Sequence, residues 1–283
     1  MAFAGCSQPP AAKSSAISPP EEPEAETKKR VSGRPGNPEG GVIIVEYHKI
    51  AKQEARWDRS IVRFREDLER FYKLGFRPVL LSSYVTGKMD LAPGASPVIF
   101  TFDDSDKSQF VLREDGSVDP DCAVGIWQEF AKTHPDFPVR ASFFILPPTG
   151  PWGQPRLSEK KFEILKEWGC EVGSHTIDHI NLAKTDANGA AKQLQAANDY
   201  ISKAGFDPFA IALPYGISPK DPTLLPKFHK VALLVGAGPA PPPGSPKVKL
   251  LRLPRIQGID DDYGITYWLD KVENGEYKPY VEP

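Results

Sequence analysis

Hydrophobic residues along this chain occur in short continuous runs that alternate with amphipathic stretches. The run Val42-Ile43-Ile44-Val45 is rich in β-branched residues and predicts a buried strand that ends near Tyr47. Further strands are predicted at 77–81, 97–102, 140–146, 170–174, 209–213 and 231–235. The stretches between them predict helices at 61–74, 122–133, 158–168, 187–204 and 265–272, with Ser158 as an N-cap. This alternation favours a parallel sheet, either closed into a barrel or doubly wound.

Composition and charge narrow the class of protein. The 283 residues are 40% hydrophobic and 25% charged, which is typical of a globular protein. Lysine and arginine number 35 against 37 acidic residues, so no overall field attracts nucleic acid, and we expect no nucleic-acid partner. No apolar run is long enough to span a bilayer.

The first forty residues differ from the rest of the chain. Seven prolines and few large apolar residues predict a disordered linker over 1–40, followed by one catalytic domain over 41–283. The segment Phe3-Ala4-Gly5-Cys6 resembles a bacterial lipobox, in which the cysteine is lipidated. The apolar and basic parts of such a signal do not precede it, so either the start is truncated or misassigned, or the match is chance. On the lipobox interpretation, Cys6 is the only membrane anchor, and the protein is an extracytoplasmic lipoprotein or a periplasmic or cell-surface protein.

Polar residues with catalytic or metal-binding potential follow several predicted strands. His48 ends the first, Asp103-Asp104 end the strand at 97–102, and His175 ends the strand at 170–174 with His179 four residues on. In parallel α/β architectures the carboxyl ends of strands form the active site. These residues are therefore expected to share one face.

Two imidazoles four residues apart suggest a metal site. On a helical turn His175 and His179 would point the same way, and Asp104 would add an oxygen ligand. Three protein ligands leave a position for water, as in catalytic zinc sites. An isolated pair of this kind is more often a surface or capping pair, and an Asp-Asp pair is often a solvated turn. The buried run before Asp103 favours the catalytic interpretation.

Three ordered motifs carry a family resemblance. Thr101-Phe102-Asp103-Asp104, the segment from Ser174 to His179, and Leu213-Pro214-Tyr215-Gly216 resemble the first three motifs of the polysaccharide deacetylases (NodB homology, carbohydrate esterase family 4). The resemblance covers residues 41–283. It implies an α/β fold, a distorted (β/α) barrel of the NodB-homology type with fewer than eight complete units.

This sequence departs from the family pattern at two places. Ala212 stands where the family usually has an arginine that orients the catalytic aspartate, and we expect Arg255 or Arg252 to replace it. The last family motif usually supplies a histidine as general acid, and the run 250–256 contains none. Tyr47-His48 is similar to the circularly permuted arrangement of the biofilm poly-N-acetylglucosamine deacetylases, which makes His48 the expected acid.

The resemblance implies a metal-dependent hydrolase that removes N-acetyl groups from N-acetylglucosamine-containing polysaccharide in the bacterial cell envelope. Asp103 is the expected general base, and Asp104, His175 and His179 are the expected metal ligands. Tyr215 and Pro214 are expected near the substrate and its oxyanion. Zn²⁺ is the first choice of metal, and Co²⁺, Ni²⁺, Fe²⁺ or Mn²⁺ also suit these ligands.

Two alternative functions stay open. The same site could cleave a non-polysaccharide amide or an ester, or the chain could be a lipid-anchored carbohydrate-binding protein without activity. Loops 105–120 and 147–155 are expected to rim the substrate groove. Trp152 in the second loop either stacks on a sugar ring or packs its own loop down.

Overall fold

Ten strands and seven helices are present in the described part of the computed structural model, which comprises residues 1–2, 28–147 and 150–283. The strands are β1 (Ile43–Tyr47), β2 (Lys49–Ala51), β3 (Asp58–Ser60), β4 (Phe76–Pro78), β5 (Ser96–Phe102), β6 (Ala141–Ile145), β7 (Glu171–Ser174), β8 (Ala210–Ala212), β9 (Val231–Ala237) and β10 (Leu253–Gln257). The helices are α1 (Ile61–Lys73), α2 (Leu81–Thr86), α3 (Ala123–Thr133), α4 (Ser158–Glu167), α5 (Ala187–Lys203), α6 (Leu224–Phe228) and α7 (Ile265–Glu273). Cys6 and most of the predicted linker lie outside the described residues.

Seven of the strands close into a parallel barrel. The ring runs β1-β5-β6-β7-β8-β9-β10 and returns to β1, so that Val45 pairs with Phe100 on one side and Ile256 on the other. The short strand β4 pairs with the start of β5. The predicted (β/α) barrel with fewer than eight units is therefore confirmed. Because all ring strands are parallel, their carboxyl ends meet at a single mouth.

Side chains alternate between the inside and the outside of the barrel, as the two-residue period of a strand requires. Inward positions such as Ile44, Ile99 and Phe144 pack together in the barrel interior. Outward positions such as Val45 and Phe100 pack against the surrounding helices. The side chains of polar residues that continue the inward series therefore point into the barrel mouth.

Most predicted elements are present, with two errors in the predicted boundaries. The strand predicted at 77–81 ends at Pro78, and Leu81 instead begins α2. Leu157, not Ser158, is the N-cap of α4. The sequence analysis did not predict β2, β3, β10, α2 or α6. Among the described residues, no helix combines the length and the apolar character that crossing a membrane requires.

Candidate active site

The inward series of three ring strands turns polar at the barrel mouth. Glu46 follows Ile44 on β1, Asp103 extends the inward series of β5, and Arg255 follows Leu253 on β10. They adjoin a cavity of about 640 Å³. The cavity is lined by His48, Lys49, Arg56, Trp57, Asp103, Asp104, His175, His179, Tyr215, Val235, Gly236 and Gln257.

Asp103 is held by Arg255 in a two-pronged hydrogen bond. Arg255 Nη1 donates to Asp103 Oδ1 at 2.8 Å and Nη2 donates to Oδ2 at 2.7 Å. The same Nη1 donates to Thr101 Oγ1 at 3.1 Å, and Nε donates to the carbonyl of Leu234 at 2.8 Å. Burial alone would raise the pKa of Asp103, but the positive charge of Arg255, the largest opposing cause, brings the pKa to about 2. Asp103 is therefore ionised at neutral pH.

The chain turns sharply after Asp103, and this turn brings the next carboxylate into the same cavity. Asp104 has φ +69° and Ser105 has φ +46°, both in the left-handed region that non-glycine residues rarely adopt. Asp104 Oδ1 then lies 3.3 Å from His175 Nε2 and 3.5 Å from His179 Nε2. The ligand atoms of these three residues all lie within 4.8 Å of one another.

His175 is oriented by the strand that carries the substituted arginine position. Its Nδ1 lies 2.7 Å from the carbonyl of Ala212, and because a carbonyl only accepts, Nδ1 carries the proton. In the neutral ring Nε2 is then the unprotonated nitrogen; it is buried and has no hydrogen-bond partner among the described residues. An orphaned buried acceptor beside a second imidazole and a carboxylate fits a divalent metal ion.

The segment that carries the two histidines is irregular, so the predicted helical turn is wrong. Thr176 and His179 both have positive φ, at 65° and 52°. Gln193 on α5 fixes the loop: its Oε1 accepts from the backbone N–H groups of Ile177 and Asp178, at 3.2 and 3.0 Å. Left-handed steps, rather than a helical repeat, bring both imidazoles to Asp104.

His48 lines the same cavity. Its Nε2 lies 3.7 Å from Glu46 Oε1, and its ring centroid lies 4.8 Å from that of Trp57. Burial lowers the pKa of His48, although the charges of Asp103 and Asp104 act in the opposite direction. His48 and Asp103 thus face one cavity, and their nearest polar atoms, with those of Glu46, lie within 4.8 Å of one another.

Glu46 is a site residue that the sequence analysis missed. Its Oε2 accepts from the backbone N–H of Gly236 at 3.3 Å and lies 3.5 Å from Arg255 Nε, while Oε1 has no hydrogen-bond partner among the described residues. Burial raises the pKa of Glu46 to about 7 against the opposing effect of Arg255. The alternation Val42, Ile44, Glu46, His48 was the available signal, since it puts Glu46 on the face of His48.

The remaining expected site residues divide between the cavity and the protein interior or surface. Tyr215 lines the cavity with φ +61°, and its ring centroid lies 4.9 Å from that of His179. Pro214 is buried and does not line the cavity. Of the two expected arginines, Arg255 reaches Asp103, whereas Arg252 is exposed and outside the cavity lining.

The cavity wall differs from the expected groove rims. Trp152 is fully buried, with its ring centroid 5.9 Å from that of Phe110 and 5.5 Å from that of Phe162, so it packs its loop down and does not face a sugar. Among the described residues, loops 105–120 and 147–155 contribute nothing to the cavity lining. Part of the wall is instead formed by the segment 48–57, whose Trp57 lines the cavity together with Tyr215.

Comparisons with known proteins give a family and a fold. The family model described as Polysaccharide deacetylase matches residues 91–231. Streptococcus pyogenes deacetylase PplD, solved in complex with acetate, is similar with a TM-score of 0.65 and 19% identity, covering 87% of this chain and 100% of that chain. IcaB from Ammonifex degensii has a TM-score of 0.58 and 18% identity, covering 83% and 97% respectively. A de-N-acetylase from Aggregatibacter actinomycetemcomitans has a TM-score of 0.57 and 14% identity, covering 81% and 98%. None of the curated proteins matches the chain.

Proposed function

Because this chain contains a polysaccharide deacetylase domain, we propose that it is a metal-dependent hydrolase that removes N-acetyl groups from N-acetylglucosamine-containing polysaccharide of the bacterial cell envelope. One observation carries the proposal. The Asp104, His175 and His179 ligand atoms converge within 4.8 Å, in the same cavity as a buried carboxylate fixed by Arg255. This combination provides a metal position and an ionised base side by side.

Asp104, His175 and His179 would hold the metal through one oxygen and two nitrogens. This donor set suits Zn²⁺ first, and also Co²⁺, Ni²⁺, Fe²⁺ or Mn²⁺. When bound, such an ion supplies Lewis acidity for the water and for the acetamide carbonyl. The Ala212 carbonyl keeps His175 in the tautomer that this ligand role requires, so the substituted position still supports the site through its backbone.

Asp103 is the proposed general base. Its pKa of about 2 keeps it ionised, and the Arg255 fork fixes both oxygens, so its position does not depend on the substrate. Asp103 takes a proton from the attacking water, which leaves hydroxide to add to the acetamide carbonyl carbon. Arg255 therefore fills the orienting role that the family usually gives to the position of Ala212.

His48 is the proposed general acid. It lines the same cavity as Asp103, with the nearest polar atoms of the two side chains within 4.8 Å, so it can donate a proton to the sugar nitrogen as the C–N bond breaks. Trp57 packs beside its ring and Glu46 lies 3.7 Å from its Nε2, and these contacts orient the imidazole. Burial lowers the pKa of His48, and the charges of Asp103 and Asp104 oppose that shift. The developing oxyanion is proposed to accept from the backbone N–H of Tyr215, at the left-handed turn that also aims the Tyr215 ring at the cavity.

A polymeric substrate is supported by a second cavity next to the first. It is lined by His179, Ile180, Asn181, Lys184, Thr185, Tyr215 and Ile217. The two cavities share His179 and Tyr215, so a glycan chain could extend from one into the other past the metal position. Exposed Tyr215 and Ile217 offer apolar surface to sugar rings.

Acetate release tests the proposal against both alternatives. The chain, stripped with a chelator and reloaded with each candidate metal, should release acetate from N-acetylglucosamine oligomers, and the stripped chain should not. Faster release from acetylxylan would favour an ester substrate. Oligomer binding without release from any substrate at any metal would favour a non-catalytic carbohydrate-binding protein and refute the proposed hydrolase.

We also propose that Cys6 carries a lipid that anchors the enzyme outside the cytoplasm. The support is the resemblance of Phe3-Ala4-Gly5-Cys6 to a lipobox and the proline-rich stretch that follows it, which suits a tether. Mass spectrometry of protein from its native source should find a diacylglyceryl adduct at Cys6. An unmodified Cys6 would refute this anchor.

A further inference from the structure

The part of the cavity wall that follows His48 in the sequence carries two cations without acidic partners. Lys49 and Arg56 both line the cavity and are exposed, and neither forms an ion pair with any described residue. The backbone joins them closely, because Lys49 N–H donates to the carbonyl of Trp57 at 3.1 Å. Their positive charges therefore face the cavity together.

Nearby acidic residues do not neutralise these cations. Glu54 and Asp260 both accept from Arg59, at 2.9 and 2.6 Å, so they are already paired. Asp58 is the register partner of Lys49 but forms no ion pair with it and does not line the cavity. The segment thus pairs its buried arginine and leaves its two cavity-facing cations free.

Arg56 is also held in position. Its guanidinium carbon lies 5.2 Å from the centroid of the Trp57 ring, a cation–π contact that restricts the side chain at the cavity lip. Trp57 in turn packs against His48 at 4.8 Å. A group bound by Arg56 would therefore lie beside the proposed general acid.

The acidic residues of the site do not outweigh its positive charges. Asp103 is paired with Arg255, and Asp104 would be neutralised by a divalent metal. Glu46 also lies 3.5 Å from Arg255 Nε, and burial raises its pKa to about 7, so it carries only part of a charge at neutral pH. The loaded cavity would then have an excess of positive charge, which raises the local concentration of anions.

We propose that Lys49 and Arg56 form an anion subsite, and that the substrate is an acidic glycan with a carboxylate near the N-acetylated sugar. This inference rests on the proposed function and deepens it. Arg56 and Lys49 donate charge-assisted hydrogen bonds to the carboxylate, which places the acetamide between His48 and the metal position.

Matched substrates test the subsite. An N-acetylglucosamine tetramer is compared with the same tetramer oxidised at C6 to carboxylates, and with the carboxamide of the oxidised form as a neutral control of nearly equal shape. In the wild type, kcat/KM for the oxidised tetramer should exceed kcat/KM for its neutral control, so that the ratio of the two is greater than one. The double variant Lys49→Gln/Arg56→Gln should lower this ratio about three- to tenfold. High salt should lower the ratio in the wild type, because screening weakens exposed charge pairs.

Control variants distinguish an effect of the subsite from an effect of the protein's overall charge. Lys52→Gln removes an exposed lysine of the same segment, and Arg156→Gln removes an exposed arginine; neither residue lines the cavity. Both should keep the wild-type ratio. A carboxylate can also bind the metal directly, and that contribution would persist in the double variant. An unchanged ratio in the double variant overturns the subsite and leaves the deacetylase proposal intact.

A binding measurement decides the case in which no oligomer is deacetylated. That result would refute the proposed function, and titration calorimetry of the oxidised tetramer in the presence of chelator would then test the subsite alone. The double variant should bind about three- to tenfold more weakly than the wild type. Equal affinities would overturn the subsite. Thermal unfolding of each variant verifies that it is folded.

Discussion

Replacing Asp103 with asparagine tests the base directly, because asparagine keeps the shape of the side chain but does not accept a proton at neutral pH. Asp104, His175 and His179 are untouched by the change, so metal content should stay at the wild-type level. Turnover should fall by about 10²–10⁴, the usual contribution of a general base.

The structure also sets an expected cost in stability. Both Asp103 oxygens accept from Arg255, so the amide group of an asparagine must face a guanidinium donor in either orientation. Arg255 would be left with Glu46, 3.5 Å from its Nε, as its remaining counter-charge. Breaking one side of a buried ion pair lowers the free energy of unfolding by about 3–5 kcal/mol.

Three measurements separate these effects: acetate release at saturating substrate, elemental analysis of bound metal, and urea unfolding. Asp136→Asn is the matched control, since Asp136 is half-exposed and pairs with Arg77 at the surface. It should keep wild-type turnover and change stability by about 0.5 kcal/mol. A folded, metal-loaded Asp103→Asn variant with nearly wild-type turnover would refute the general-base role. Loss of metal in that variant would refute the division of labour between Asp103 and Asp104.

Three further variants test the metal site and two buried titratable groups. Elemental analysis should find that His175→Ala has lost its bound metal and that the control variant His134→Gln has kept it. Full metal content in His175→Ala would exclude His175 as a ligand. Burial raises the pKa of Glu46 to about 7, so its charge costs stability as pH rises from 4.5 to 7. In urea unfolding, the free energy of unfolding of Glu46→Gln should therefore exceed that of the wild type by about 1–3 kcal/mol at pH 8 and by less at pH 5. A difference that does not depend on pH would contradict this. Burial lowers the pKa of His229 to about 4, so stability present above pH 6.5 is lost as pH falls towards 4. Across that range, the free energy of unfolding of the wild type should fall by up to about 3 kcal/mol more than that of His229→Gln. Equal falls would refute the lowered pKa of His229.

The barrel could be predicted because the ring strands are short apolar runs between helical stretches. The family resemblance, confirmed by the match at 91–231, then fixed the number of units as fewer than eight. The strand β10 was missed because Pro254 and Arg255 interrupt its apolar pattern. Arg255 is nevertheless fully buried, since its charge is matched by Asp103 inside the barrel.

The strand-end rule found the residues that stand directly after an apolar run. His48, Asp103 and His175 each end a ring strand, so the parallel topology alone brings them to one mouth. Trp57 could not be found this way, because it lies in a polar segment after β2 whose path over the cavity depends on tertiary contacts. The ion pairs of Arg59 with Glu54, Asp67 and Asp260 hold that segment in place.

Backbone conformation is the part of the site that residue spacing does not reveal. Five of the eight non-glycine residues with positive φ in the described chain lie at the barrel mouth. They are Asp104, Ser105, Thr176, His179 and Tyr215. Each such residue costs on the order of 1 kcal/mol or more, which the surrounding contacts must offset.

These left-handed residues serve the chemistry of the mouth. A strand sends consecutive side chains to opposite faces, so Asp103 and Asp104 can share a cavity only if the backbone reverses between them. The same reversal after His175 returns His179 to the metal position. Glycine would relieve the strain at Asp104 or His179 but would remove a ligand. The residues that assemble the proposed metal site are thus among those that stabilise the fold least, and the buried Arg255–Asp103 pair and the Gln193 contacts offset that cost from neighbouring elements.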